Sequence, residues 1–529
     1  MNTAIHHLSS QVPRWMRNHR GKESYQNRRT RRSIMLKTSF YNMIIPVQEK
    51  NVHLVYNTRS NSLLELEPSE AQLLYDWRKA GVISSIDQKE HQHFISALWD
   101  NGIVVRHDLD EKEDIHQRII REREWSFKKA NFYITITPTL SCNMGCSYCF
   151  EGEKPWNKFM KDKTIDGVIE FLHREINSSK LVEEFEGIKV TWFGGEPLLR
   201  PEIIDRYSEK LIEVSKQYGL LYSSSVITNG VNLTSEVWEI LLRSHVEQVQ
   251  VTLDGYRDTH NMLRPIVPTG VAPDANNDLG SYDLILDNLS NKPQSEIFAT
   301  IRINTDKVMY PHLEELLDDL ERRGIWPQRH EEFSPYLAFK EVPYEGSGVH
   351  DSMSQYYHRR EFARVVEEFR ELKWKHYNVF AETNDLPKAK KEFKVPKATM
   401  HLCGAASHPY SMVIDPDGYI QQCWEYANDP NTRSHHITDE YNIHDKNRTL
   451  FTNWDQFTRP ICRDCKILPV CEMTCPHKDP PEACPDWKYS LKWMLRDQYL
   501  HSIDRPDDIQ SLAEIGTSVD PALKECEEL

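Results

Sequence analysis

The sequence predicts an α/β protein: a partial (β/α)6 barrel with an N-terminal winged-helix-like domain and a C-terminal cysteine-rich domain. Three observations carry this expectation. Strand-like and helical runs alternate from Phe132 to Phe339, the pattern of a parallel sheet covered by helices. Ahead of them, three short strand-like runs (YNMIIPV, HLVYNT and SLLELEP) precede two helical stretches. Behind them, seven cysteines fall between Cys403 and Cys484 in a stretch rich in Pro, Asp and Gly, with little secondary structure of its own and a need for metal to fold.

Residues 1–33 hold eight Lys or Arg against the single acid Glu23, with almost no apolar periodicity, and read as a disordered basic arm. Residues 34–110 carry the three strands, helices at Ser69–Lys79 and Lys89–Asp100, and a last strand at Ile103–Val105. The helices of this winged-helix-like unit are not basic, so a peptide ligand fits it better than DNA. Residues 111–130 are a charged helical linker. Across 131–340, strands are expected near 132–137, 188–193, 222–227, 248–253, 297–304 and 333–339, with helices near 163–177, 201–218, 235–245, 281–290 and 311–323. Such a barrel does its chemistry at the carboxyl ends of its strands. Residues 341–400 form a helical bridge, 401–500 the cysteine-rich domain and 501–529 an acidic tail.

Composition narrows the function. A chain of 529 residues can bury several cores, and 39 % hydrophobic with 27 % charged residues is ordinary globular usage. The net charge of -15 argues against nucleic acid as a partner, which would need a dense basic face. No uncharged apolar run approaches the roughly 18 residues that cross a bilayer, and the first thirty residues lack the apolar stretch of a secretory signal. No membrane partner and a cytoplasmic location are therefore expected. Ten of the eleven cysteines lie in two groups, which in that compartment points to metal and not to disulfides.

Cys142, Cys146 and Cys149 offer three thiolates just beyond the first barrel strand, and no fourth Cys or His follows closely to complete a structural zinc site. An iron-sulfur cube on three cysteines keeps one iron free for an outside ligand. The segment TPTLSCNMGCSYCFE resembles the cluster loop of radical S-adenosylmethionine (radical SAM) enzymes. In that family SAM chelates the open iron of a 4Fe-4S cluster, and one electron splits a carbon–sulfur bond to give a 5′-deoxyadenosyl radical. Cys142, Cys146 and Cys149 are then the catalytic cluster ligands.

Other strand ends share the resemblance. Gly194-Gly195-Glu196-Pro197 resembles the family's GGEP turn, which implies that backbone carbonyls and Glu196 receive the SAM ammonium; the alternative is an ordinary turn with a solvated glutamate. Thr228-Asn229-Gly230, and Thr252 to Gly255 followed by Arg264-Pro265, resemble the ribose and carboxylate contacts. The planar fork of Arg264 suits a carboxylate, and Arg302 of the fifth strand points toward the same end. Either arginine could instead serve a structural ion pair.

Cys403, Cys423, Cys462, Cys465, Cys471, Cys475 and Cys484 follow a spacing that resembles the SPASM domain of peptide-modifying radical SAM enzymes. That resemblance implies two auxiliary 4Fe-4S clusters, one on Cys462, Cys465, Cys471 and Cys484 and a nearer one on Cys403, Cys423 and Cys475, with His408, Cys526 or an open iron completing it. A pair of zinc sites is the alternative. Residues 36–107 resemble a PqqD-like element that grips a leader peptide at a sheet edge. The implied whole is a radical SAM maturase of a ribosomally made peptide that forms a thioether or carbon–carbon cross-link, with SAM and three 4Fe-4S clusters as cofactors. Its partners are a precursor peptide and a flavodoxin or ferredoxin type electron donor. Two alternatives stand: a sulfatase-maturing enzyme, although Trp424 occupies the position of that type's aspartate base, and a non-catalytic iron-sulfur winged-helix sensor. Every cluster and SAM contact lies after Phe132, so residues 1–107 are expected to be separable from the chemistry.

Overall fold

The computed structural model describes residues 34–146, 148–149, 151, 158–267, 280–328, 333–339, 357–388, 395–396, 403, 405, 408–427, 429–471, 475–478, 480 and 483–502. The expected basic arm, most of the acidic tail with Cys526, and residues 341–356 of the bridge lie outside them. The chain forms two compact units, one from Met1–Glu122, Lys390–Leu402 and Asp455–Leu529, the other from Arg123–Ala389 and Cys403–Trp454. The stretch 401–500, expected as one domain, is divided between them.

The first unit begins with β1 (Leu36–Thr38), β2 (Asn42–Val47), β3 (Val52–Asn57) and β4 (Ser62–Leu66), continues through α1 (Pro68–Ala80), α2 (Ser85–Glu90) and α3 (Gln92–Asp100), and returns in β5 (Val104–Arg106). β2, β3 and β4 make an antiparallel sheet in that order, and β1 pairs with β5. α1 opens on Pro68, where a missing N–H costs nothing, behind a reciprocal capping box between Glu67 and Glu70. Gly81 closes it at φ 74. α4 (Glu111–Lys128) is tied back to the strands by Glu111, whose carboxylate accepts from Ser39 Oγ and, at 2.8 Å, from Phe40 N.

α4 runs directly into the second unit, whose elements are β6 (Lys129–Thr139), α5 (Asp162–Ser178), β7 (Glu184–Gly194), α6 (Pro201–Tyr218), β8 (Leu221–Thr228), α7 (Ser235–Arg243), β9 (Val246–Leu253), α8 (Arg257–Leu263), α9 (Gly280–Ser290), β10 (Phe298–Thr305), α10 (Leu313–Arg322), β11 (Phe333–Phe339), α11 (Arg359–Thr383), β12 (Ser411–Ile414), β13 (Tyr419–Gln421), β14 (His435–His436) and α12 (Lys446–Thr452). β6 to β11 lie side by side in sequence order, all parallel. Their alternate residues separate cleanly. Ile134, Ile136, Val190, Trp192, Val251 and Ile301 enter the core with helix residues such as Phe171, Leu211, Trp238 and Leu316. The opposite face is polar: Thr191 bonds Ser225 at 3.2 Å, and Tyr336 Oη donates to Gln250 Oε1 at 2.7 Å.

The sheet is open. Its order is β11-β10-β9-β8-β7-β6-β12-β13-β14, so among the described residues β6 turns its outer edge to β12 and does not close on β11. This corrects the expectation that the second cysteine group has little structure of its own. The four-residue run SMVI buries Met412, Val413 and Ile414 in extending the sheet, a signal too short to stand out among Pro, Asp and Gly.

The first unit is completed by α13 (Pro460–Arg463) and α14 (Trp487–Ser502). Alternation along β2–β4 makes two cores. Ile44, Val55, Leu64 and Leu66 face Leu74, Trp77, Ile95 and Leu98 of α1 and α3. Met43, Ile45, Val47, Leu54, Tyr56 and Leu63 pack instead with Ile467, Leu468 and Val470 of the cysteine-bearing loop and with Leu491 and Leu495 of α14. Thr58 Oγ1 donates to Lys466 O, and Lys112 Nζ bonds Asp464 Oδ1 at 2.6 Å. Residues 34–107 therefore share one core with the loop that carries Cys465 and Cys471.

Candidate active site and a four-cysteine pocket

The first cysteine group leaves the carboxyl end of β6 and is held from two sides. On one side its backbone pairs antiparallel with the segment after α8: Gly145 N donates to Pro265 O and Val267 N to Asn143 O, both at 2.9 Å. On the other side the GGEP turn presses against it. Gly194 has φ 114, and a Cβ there would meet Thr139 O at 2.4 Å. At Gly195 a Cβ would lie 2.2 Å from Ser141 O, so only glycine permits this approach. Glu196 N then donates to Ser141 O at 2.8 Å.

Glu196 is fully buried, and its carboxylate braces neighbouring strand ends. Oε1 accepts from Leu198 N at 2.8 Å and Thr228 Oγ1 at 2.7 Å, while Oε2 accepts from Asn229 N at 2.7 Å. Burial pushes its pKa up, against the hydrogen bonds from Asn229, Leu198 and Thr228, which favour the charged form. The solvated glutamate of the alternative reading is thus not what forms. Asn229 carries the brace to the cysteines: its Nδ2 donates to Asn143 Oδ1 at 2.8 Å and lies 3.8 Å from Cys142 Sγ, which also accepts from Met144 N at 3.4 Å. Pro197 starts the buried turn after Glu196.

Arg264 is also buried. Its Nη1 donates to Tyr148 Oη at 2.8 Å and stands 3.9 Å from Asp254 Oδ1, an acceptor shared with Asn304 Nδ2 at 2.9 Å. Burial opposes its charge, but Tyr148, Cys146 and Asp254 outweigh that and raise its pKa. Arg302 joins through Asn304, whose Oδ1 accepts from Arg302 Nε at 3.0 Å. His260 Nδ1 accepts from Asp254 N at 3.1 Å; burial and then Arg264 hold its pKa well below the usual value, so the ring is neutral. Thr252 pairs with Arg302 in the strand register.

Asp254 Oδ2, Arg264 Nε and His260 Nε2 are buried and unbonded among the described residues. One acceptor and two donors at these strand ends, beside three thiols, fit a polar, charged cofactor. Asn143, Asp254, His260 and Asn304 were not singled out in the sequence, although Asn143 lies inside the cysteine motif and Asp254 inside the fourth strand end.

Of the second group, Cys462, Cys465, Cys471 and Cys484 line a single cavity with Arg459 and Lys488. Burial and the neighbouring Cys484 and Cys465 raise the Cys462 pKa, against the opposing pull of Arg459 and Lys488. Four convergent thiols fit a tetrahedral metal or an iron-sulfur cube. Arg459 pins the surrounding loop through the carbonyls of Cys475, Pro476 and Lys478, at 3.1, 3.2 and 2.6 Å. Cys403 and Cys423 belong to the sheet-bearing unit and Cys475 to the other. His408 stacks its ring 4.4 Å from that of Tyr133, and Trp424 lies 5.7 Å from Phe193.

A parallel α/β sheet carrying three cysteines, a glycine turn and buried polar groups at its strand ends defines a cofactor-dependent α/β domain. Residues 136–274 match the family model described as the Radical SAM superfamily. Curated relatives include the GTP 3′,8-cyclase of Helicobacter pylori (strain HPAG1), 33 % identical over 134 residues, which are 25 % of this chain and 37 % of that protein. Human molybdenum cofactor biosynthesis protein 1 is 27 % identical over 131 residues, 24 % of this chain and 18 % of its own. The chain thus spans little more than a third of the curated relatives it matches. Among solved structures, anSMEcpe with bound AdoMet and the Cp18Cys peptide aligns at TM-score 0.47 and 15 % identity over 70 % of this chain and 99 % of that one. Streptococcus suis SuiB bound to the precursor peptide SuiA aligns at TM-score 0.42 and 15 % identity over 85 % and 99 %. Among the described residues no helix is long and apolar enough to cross a membrane.

Proposed function

We propose that the chain is a radical SAM maturase of a ribosomally made peptide and joins two of its residues through a thioether or carbon–carbon bond. The observation that carries the peptide reading is β4. It is an outer strand of a three-stranded sheet whose two faces are both covered by apolar cores, so the edge is what remains for a ligand. The other outer strand, β2, contains Pro46 and lacks an N–H there.

Bound SAM and a 4Fe-4S cluster would supply a 5′-deoxyadenosyl radical that removes a hydrogen atom from the peptide. Cys142, Cys146 and Cys149 would hold that cluster. Arg264 and the unbonded Asp254 Oδ2 would bind the carboxylate and ammonium of SAM, and Glu196 would keep the ends of β7 and β8 in register beneath it. Cys462, Cys465, Cys471 and Cys484 would hold an auxiliary cluster, with a third on the remaining cysteines of the second group. A flavodoxin or ferredoxin would deliver the electron.

The test is anaerobic. Three clusters of four irons give about twelve irons per chain, and reduced protein should convert SAM to 5′-deoxyadenosine. Replacing Cys142, Cys146 and Cys149 by Ala should abolish that conversion and retain the auxiliary iron. Coexpression with a small neighbouring reading frame should yield a peptide lighter by two hydrogens per cross-link. Stoichiometric zinc with little iron, or iron without 5′-deoxyadenosine, would overturn the reading in favour of a zinc protein or a sensor.

A further inference from the structure

The cavity of Cys462, Cys465, Cys471 and Cys484 contains one cation, Lys488, with no carboxylate partner among the described residues. Lys488 is 8 % exposed, and its Nζ donates to Cys484 Sγ at 3.4 Å. Its other contact is the ring of Tyr489, 5.5 Å away. No carboxylate pairs with it among the described residues, whereas the other cation on the cavity, Arg459, is spent on three backbone carbonyls. An ammonium held out of water needs a negative charge beside it, and among the described lining residues the cysteines are the groups that can carry one. Lys488 is the second residue of α14, four positions beyond Cys484 across the turn that leads into the helix.

We propose that Lys488 sets the reduction potential of an iron-sulfur cluster held by these four cysteines, favouring its reduced state. The inference rests on the auxiliary-cluster reading above. Reduction adds one electron from an external one-electron donor and neither forms nor breaks a bond, but it makes the thiolate-bound group one unit more negative. A fixed ammonium against Cys484 Sγ stabilises that added charge, and hydrogen bonds to ligand sulfurs act in the same direction. Lys488 is thus a positioning charge: it touches a ligand, not a substrate, and its effect is to make this cluster the better electron acceptor.

The experiment is a potentiometric titration of the full-length holoprotein, followed by electron paramagnetic resonance, with iron and zinc counted on the same samples. In Lys488→Met one of the auxiliary couples should shift to a lower potential by about tenfold in its reduction equilibrium, which is about 59 mV for one electron. The other couples should stay put. Lys488→Arg should restore most of the shift, which a purely structural side chain would not do. An unchanged couple at full iron content would overturn the inference and leave the cluster assignment standing. Loss of about four irons in both variants would make Lys488 a structural residue and likewise overturn it. Zinc in the wild-type pocket would instead remove the cluster reading itself.

Discussion

Asn229 reaches across from the end of β8 to Cys142, its Nδ2 3.8 Å from the cysteine sulfur and 2.8 Å from Asn143 Oδ1. One side chain thus contacts both Cys142 and the side chain of the next loop residue. Groups that orient metal ligands typically contribute about 10- to 100-fold to activity or affinity. Asn229→Ala should lower the rate of SAM cleavage by that factor while iron content stays within error of wild type. An unchanged rate would show that the loop holds its own shape.

The glycine turn allows a sharper test. In Gly195→Ala the new Cβ would meet two backbone oxygens, Ser141 O at 2.2 Å and Leu140 O at 2.6 Å, neither of which can swing away. A displacement of about 1 Å at a catalytic site can cost about a hundredfold in rate, so SAM cleavage should fall at least that far. Gly219→Ala is the control. That residue also has positive φ, 68°, but meets nothing within 4 Å, so it should lose some thermal stability and keep its cleavage rate.

Deleting residues 1–107 should do more than remove peptide binding. The deletion strips Met43, Ile45, Leu54 and Tyr56 from the core they share with Ile467, Leu468 and Val470, between Cys465 and Cys471. The truncated chain should lose about four irons, the content of one cluster, and should expose apolar surface readable as dye binding. Full iron content after truncation would show that the four-cysteine pocket folds without the sheet.

Acid should weaken the second unit in part through His435. Both of its ring nitrogens are buried and unbonded among the described residues, the ring lies 5.3 Å from that of Tyr441, and burial followed by Arg448 lowers its pKa to about 4. Below the ordinary value of 6.5 the unfolded chain takes up a proton that the folded one refuses. The stability this group contributes is therefore fully present above about 6.5 and drains away as pH falls toward 4. Between pH 7 and pH 5 the wild type should lose more thermal stability than His435→Phe, as read by circular dichroism. Equal losses would remove His435 from the account.

How far the sequence could be read depended on the distance over which each signal acts. The strands near 188–193 and 248–253 were legible because apolar and polar residues alternate within a few positions, and they appear as β7 and β9. Glycine at 194 and 195 pointed to a close backbone approach before any partner was known. The partner is Thr139 to Ser141, and the segment that holds the cysteine loop from the other side, Pro265 to Val267 running antiparallel to Asn143 to Gly145, is set by folding and leaves no local trace. β12 escaped for the same reason: SMVI becomes a strand only because β6 has a vacant edge. Nothing local marks Lys488, and only the convergence of four distant cysteines gives it meaning.

The sheet of β2, β3 and β4 also bears on how the chain is made. One of its faces waits for residues 465–500, and residues 123–454 come between. During synthesis, at roughly 5–20 residues per second, the nascent sheet would stand half covered for tens of seconds, presenting Met43, Ile45 and Leu54 to solvent. A segment in that state is a client for holdase chaperones, and contacts so far apart in sequence are closed late and slowly. Yield in a heterologous host should therefore follow chaperone supply and translation rate as closely as it follows iron supply.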